Sequence, residues 1–203
     1  MIFTKEDNVD KLDAEGKDYF SRIIKASTRM SLMIEDLLTL SKVGKKDVEF
    51  EKVKVSELID EVKDTMLQRL TETNTSIIFN GLPKITCQPV WMKAVFQNLI
   101  SNSISHSDKD KTTIEITYKE LAEYHEFSFK DNGCGIEEDQ FEKIFGLFRK
   151  AHQNKNSQGS GAGLAIISSV LEQHQGRIKV AWSKPGEGTT MNFTILKNLK
   201  TIK

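Results

Sequence analysis

The sequence predicts an α/β fold of the α+β sandwich kind: one mixed sheet covered by helices on one face, with a long helix ahead of it. Three observations predict it. Short stretches with strand-like alternation interleave with three helical stretches between residues 48 and 203, the pattern of a sheet backed by helices. A Pro-free run from Asp13 to Val43 carries apolar residues at helical spacing. Two glycine-dense turns, Asp131-Asn132-Gly133-Cys134-Gly135 and Gly159-Ser160-Gly161-Ala162-Gly163, lie within the stretch from Phe129 to Ile167 around which the rest is organised.

Residues 1–12 are polar and read as loop. In the helix that follows, Ile23, Met30 and Leu37 stand seven apart, as do Ala26, Met33 and Leu40, the double seam that bundle packing needs. Gly44 is its expected C-cap. No second long helix adjoins it, so self-association through this helix is expected; the alternative is packing onto its own domain. Val48–Val53 alternates as a strand, and Val55–Leu70 returns to helical spacing. Strands follow at Ser76–Phe79 and Ile85–Cys87, then an apolar helix over Val90–Ile104 with Pro89 in its first turn. Strands at Thr112–Tyr118 and His125–Phe129 precede the glycine stretch, whose middle, Phe141–Phe148, reads as a Phe-rich helical piece. A helix opens at Leu164. The last strands, Arg177–Trp182 and Thr190–Ile195, join across a Pro- and Gly-containing turn.

Composition narrows the function. The chain has 203 residues, with Lys plus Arg and Asp plus Glu at 29 each, so net charge points to neither nucleic acid nor membrane. Cys87 and Cys134 are too few for a disulfide framework or a metal cluster, and Cys134 reads as a space-filler rather than a redox site. No apolar run approaches the ~20 residues of a membrane span. The opening residues lack a signal-peptide apolar segment, so a cytoplasmic protein is expected, whole or as a piece of something larger.

The chemistry sits in the glycine turns and one helix. A glycine-rich turn that opens a helix aims unpaired N–H groups and a positive dipole end at an anion, which suits Gly159–Gly163 to phosphate. Asp131, at a strand end, can accept a hydrogen bond from a base. Asn98 and Asn102 share one helix face, where carboxamides can bind a hard cation or phosphate, unless they are simply surface amides. Together these read as a nucleotide pocket.

These residues carry a family resemblance. Asn98-Leu99-Ile100-Ser101-Asn102 resembles the N box of sensor histidine kinases, and Asp131–Ile136 their first glycine box. Phe141–Phe148 resembles the F box, and Gly159–Leu164 the second glycine box, all in family order. The helix Arg22–Gly44 is similar to the second helix of the family's dimerisation and phosphotransfer domain, and with Val95–Asn102 it leans toward phytochrome-like kinases. The resemblance implies the GHKL (Bergerat) ATP-binding fold shared with gyrase, Hsp90 and MutL. It implies domains at 1–47, a partial dimerisation helix and linker, and 48–203, the catalytic domain. It assigns the adenine amino group to Asp131 and the base pocket to Gly133, Gly135 and Ile136. Asn98 becomes the Mg²⁺ ligand and a catalytic residue, with Asn102 near the phosphates. Gly159, Ser160, Gly161, Ala162, Gly163 and Leu164 line the phosphate turn, and residues 149–158 form an ATP lid.

Departures are informative. The family's phospho-acceptor histidine sits on the first dimerisation helix before an acidic residue; His106, His125, His152 and His174 have no such setting. The family's lysine seven residues after the first N-box Asn is here Ser105, followed by His106, which is counted with the nucleotide-binding residues as a compensating cation if protonated. The arginine often found after the F box falls at Lys150, taken as catalytic, with Arg149 beside it on the nucleotide. The expected function is an ATP-binding module that transfers the γ-phosphoryl group to a histidine outside this chain, for relay to a response-regulator aspartate. The alternatives are a degenerate regulatory module and another GHKL-type ATPase. A dinucleotide-binding Rossmann domain fails, because its glycine motif follows the first strand.

Overall fold

The computed structural model describes residues 12–43, 49–149 and 160–199. Helix α1, Ala14–Lys42, starts where the Asp13 side chain accepts the Gly16 N–H at 2.7 Å. Strand β1 (Glu51–Lys54) leads into α2 (Val55–Thr65) and α3 (Leu67–Glu72), then β2 (Thr75–Phe79) and β3 (Lys84–Cys87). Helix α4 (Pro89–Ser105), β4 (Thr112–Glu120) and β5 (Tyr124–Asp131) follow, and α5 (Gly163–Gln173), β6 (Ile178–Lys184) and β7 (Gly188–Leu196) close the chain.

The main sheet has strand order β2-β4-β5-β7-β6. β2 runs parallel to β4 and the other pairs are antiparallel, so the sheet is mixed, as expected. Alternation decides which face is covered. Ile114 and Ile116 of β4, Phe127 and Phe129 of β5, and Phe193 and Ile195 of β7 all turn to one buried face. They meet Val55, Ile59 and Val62 of α2, Phe96 and Ile100 of α4, and Ile167 and Val170 of α5 in one core. Phe127 stacks on Phe193 at 5.1 Å between ring centroids, and Phe96 meets the same ring edge-on. Each such buried ring contributes about 2–3 kcal/mol of transfer free energy. Outward positions such as Ile78 and Trp182 are exposed.

The structure revises the expected elements in four places. A single sheet was expected, but β1 and β3 form a separate two-stranded antiparallel ribbon, Glu51 opposite Cys87 through Lys54 opposite Lys84. The helix expected over 55–70 breaks at Met66, whose ψ of 8° leaves the α region and starts α3. The Phe-rich piece 141–148 holds one 3-10 turn, Lys143–Phe145, with another just ahead of it at Glu138–Gln140, because the chain turns out at Gly146 and Phe148 takes φ of 58°. Finally, α1 was expected to pair with another copy, with packing onto its own domain as the alternative, and its C-terminal half does pack against α5, with Leu40 and Val43 on the core. The Ile23, Met30, Leu37 seam stays exposed, Ile23 at 64%. Gly44, the expected cap, lies outside the described residues; the N–H of Val43 closes the last turn on Thr39 O.

Candidate active site

A cavity of about 470 Å³ opens between α4, α5, the C-terminal end of β5 and the start of β7, with α1 and α3 at its rim. Its deeper end is organised by Asp131, the last residue of β5. Asp131 Oδ1 accepts the N–H of Gly133 at 2.9 Å and of Thr189 at 3.2 Å, and Oδ2 accepts the Ser103 hydroxyl at 3.2 Å. Burial holds the carboxyl above the usual carboxylate range, opposed by those three hydrogen bonds and by His106. The following loop is closed by backbone: Cys134 N–H donates to His106 O, and Gly186 N–H to Cys134 O. Gly135 has φ of 73°, and a Cβ there would sit 2.1 Å from Lys184 O, so only glycine lets the β6–β7 turn close over this loop. Burial pushes the Cys134 thiol up, which suits a filler rather than a nucleophile.

The opposite end is polar. Asn98, Ser101, Asn102 and Ser105 line one stripe of α4 facing the cavity. The Asn98 amide nitrogen donates to Ala94 O at 2.9 Å, which turns Oδ1 toward the first residue of α5. A Cβ on Gly163 would lie 2.7 Å from that Oδ1. Glycine here lets the helix N-terminus, with its unpaired N–H groups, come against the asparagine pair. Ser160 shapes the turn before α5 by accepting the Ala162 N–H at 3.1 Å, and its hydroxyl donates to Asp36 Oδ2 of α1. From α3, Arg69 reaches over the stripe to Ser101 and Ser105.

Of the residues singled out in the sequence, Asn98, Asn102, His106, Asp131, Gly135, Ile136, Arg149, Ser160, Gly161, Gly163 and Leu164 line this one cavity. Gly133 stands behind Asp131, and Ala162 is fully buried beneath the turn. Gly159 and Lys150 lie outside the described residues. Sequence reasoning missed Asp36, Arg69, Ser103 and Thr189. Ser103 had a local signal, being on the Asn-bearing helix. The others come from elements remote in sequence, and nothing local marks them.

The family model described as histidine kinase-, DNA gyrase B- and HSP90-like ATPase matches residues 87–199. The chain belongs to this family. Its similarity is to the histidine kinase members. It is 37% identical over 196 residues to cyanobacterial phytochrome B of Nostoc sp., covering 95% of this chain and 26% of that protein. Among solved structures, the nucleotide-free catalytic domain of the histidine kinase ThkA superposes with a TM-score of 0.62 at 27% identity, over 73% of this chain and 96% of that one. ThkA in complex with the response regulator protein TrrA gives 0.69 at 24% identity, over 92% of this chain and 53% of that one, a likeness of fold that includes the region of α1. The chain spans about a quarter of the length of the curated relatives it matches. Among the described residues no helix is long and apolar enough to cross a membrane.

Proposed function

We propose that residues 48–203 are the ATP-binding catalytic domain of a sensor histidine kinase, and that residues 1–47 belong to its dimerisation domain. The observation that carries the reading is the fit of Gly163 against Asn98, which sets a helix N-terminus beside two carboxamides at one end of a cavity whose other end holds a half-buried carboxylate. In this reading Asp131 accepts the adenine amino group through Oδ2, since two backbone N–H groups already hold Oδ1. The N–H groups at the start of α5 and the Asn102 amide face the phosphates. The donor set suits Mg²⁺, a hard cation that keeps most of its waters and needs few protein oxygens, and Asn98 Oδ1 is the protein oxygen aimed there. When bound, the ion neutralises charge on the phosphate chain. What the protein contributes is position: it holds the γ-phosphoryl group toward the cavity mouth, where a histidine from another helix can attack. The bond from the γ-phosphorus to the bridging oxygen breaks, a phosphorus–nitrogen bond to the imidazole forms, and ADP departs. Relay to a response-regulator aspartate and self-association through α1 complete the proposal.

Titrating a non-hydrolysable ATP analogue with and without Mg²⁺ tests the site; metal-enhanced binding is expected, and no nucleotide binding would overturn it. With labelled ATP, phosphoryl transfer is expected only to a histidine-bearing dimerisation helix supplied in trans. A stable acid-labile phosphoryl group on this chain alone would overturn that part.

A further inference from the structure

The phosphate end of the cavity poses a charge problem. A triphosphate needs cations beyond a metal ion, yet the α4 stripe that faces it, Asn98, Ser101, Asn102 and Ser105, is uncharged, and α4 has no basic residue in its last turn. A guanidinium arrives there from another element. Arg69, on α3, donates from Nη1 to Ser101 Oγ and from Nη2 to Ser105 Oγ, both at 2.8 Å. The two hydroxyls are one helical turn apart, so the planar fork is clamped at two points across α4. Its backbone is fixed as well: Arg69 O accepts both the N–H and the hydroxyl of Thr73, at 3.0 and 2.7 Å, and the next residue, Leu70, is in the core.

Two features separate this from a strut between helices. Among the described residues no carboxylate forms an ion pair with Arg69, while its side chain lines the cavity. Its partners are also hydroxyls. A serine that accepts from a guanidinium retains its own proton and can donate it onward. The Arg69–Ser101–Ser105 unit thus presents guanidinium and hydroxyl donors together, a set suited to phosphate oxygens.

We propose that Arg69 is a phosphate-binding residue of this site, a cation delivered from α3 and positioned by Ser101 and Ser105. It takes over the role for which the cavity-facing stripe of α4 carries no charge, beside Ser105, where the resembling kinases usually carry lysine. The inference deepens the ATP reading and rests on it.

Affinities for a non-hydrolysable ATP analogue, ADP and adenosine, all with Mg²⁺, are measured on the full chain beside its melting temperature. Arg69→Gln weakens the triphosphate by about 10- to 50-fold, weakens ADP less, and leaves adenosine within about twofold. Adding Ser105→Lys to Arg69→Gln restores most of the lost triphosphate affinity, because the new ammonium enters from α4. Equal losses for adenosine and triphosphate, an unchanged triphosphate affinity, or failure of Ser105→Lys to restore it would overturn the proposal. Should Arg69→Gln not fold, Arg69→Lys carries the test. It keeps the charge without the fork and is expected to lose about three- to tenfold on the triphosphate alone; an even loss across the three ligands overturns the proposal. If the unaltered chain binds neither adenosine nor the triphosphate, it is the ATP reading that fails.

Discussion

At the base end of the cavity, Asp131 is held by neighbours that the sheet itself supplies: the next turn's Gly133 N–H, the Thr189 N–H from the paired strand β7, and Ser103 from the helix packed on that sheet. At the phosphate end the groups arrive separately, Asn98 and Asn102 on α4, the N–H groups on α5, Arg69 on α3 and Asp36 on α1. The first arrangement is fixed by strand register. The second depends on how four helices pack, so each contribution can be replaced from another element. The sequence departure from the N box at Ser105 falls at the second end.

The sharpest way to break the base end is Asp131→Asn. Two backbone donors keep an oxygen at the Oδ1 position, which forces the new NH₂ group to face the adenine amino group, donor against donor. Loss of the charge-assisted hydrogen bond costs roughly 1.5–3 kcal/mol, so adenosine and ATP affinities should fall together by about 10- to 150-fold. The fold should not suffer. Burial raises the Asp131 carboxyl, so its contribution to stability is complete below the ordinary carboxylate value and is lost as pH rises through the raised one. At neutral pH the ionised group is therefore a liability to the folded chain, and the Asn variant should melt no lower than the parent. For the same reason nucleotide binding by the parent should weaken on acidification sooner than an ordinary carboxylate would allow. A melting temperature several degrees lower in Asp131→Asn would contradict this account.

Gly163→Ala strikes the other end alone. The added Cβ would lie 2.7 Å from Asn98 Oδ1 and 3.9 Å from Asn102 Nδ2, so either α5 backs away or Asn98 rotates off its bond to Ala94 O. The increment in triphosphate affinity produced by Mg²⁺ should fall by about tenfold, with adenosine affinity unchanged. Isothermal titration with both ligands reads this directly. A parallel loss of adenosine affinity would mean that the ends are not independent.

How much of this was legible in the sequence follows the same division. Asp131, its glycines and the Asn98–Asn102 pair announce themselves because their geometry is local: a strand end, a turn that needs positive φ, two amides one helical turn apart. Alternation in β4, β5 and β7 likewise marked the covered face. Arg69 was invisible because its partners lie 32 and 36 residues away and α3 exists only through the break at Met66, which periodicity over 55–70 conceals. Missing the separate β1–β3 ribbon has a similar cause, since alternation identifies strands but not their partners. The apolar seam of α1 announced a buried face, yet its docking beside α5 is set by the far end of the helix, where Leu40 and Val43 reach the core.

The mildest perturbation concerns that docked helix. Asp36 is half-buried at the cavity rim and accepts the Ser160 hydroxyl, so an anion sits where a phosphate group is proposed to bind. It competes for that donor and adds like-charge repulsion worth about 1 kcal/mol at a partly exposed site. Asp36→Ala should therefore tighten triphosphate binding by roughly three- to fivefold, with less effect on ADP and none on adenosine. High salt should shrink the difference by screening the charge. If the variant instead binds the triphosphate more weakly, the carboxylate helps to shape the Ser160 turn for phosphate, and α1 is part of the site rather than a rival for it.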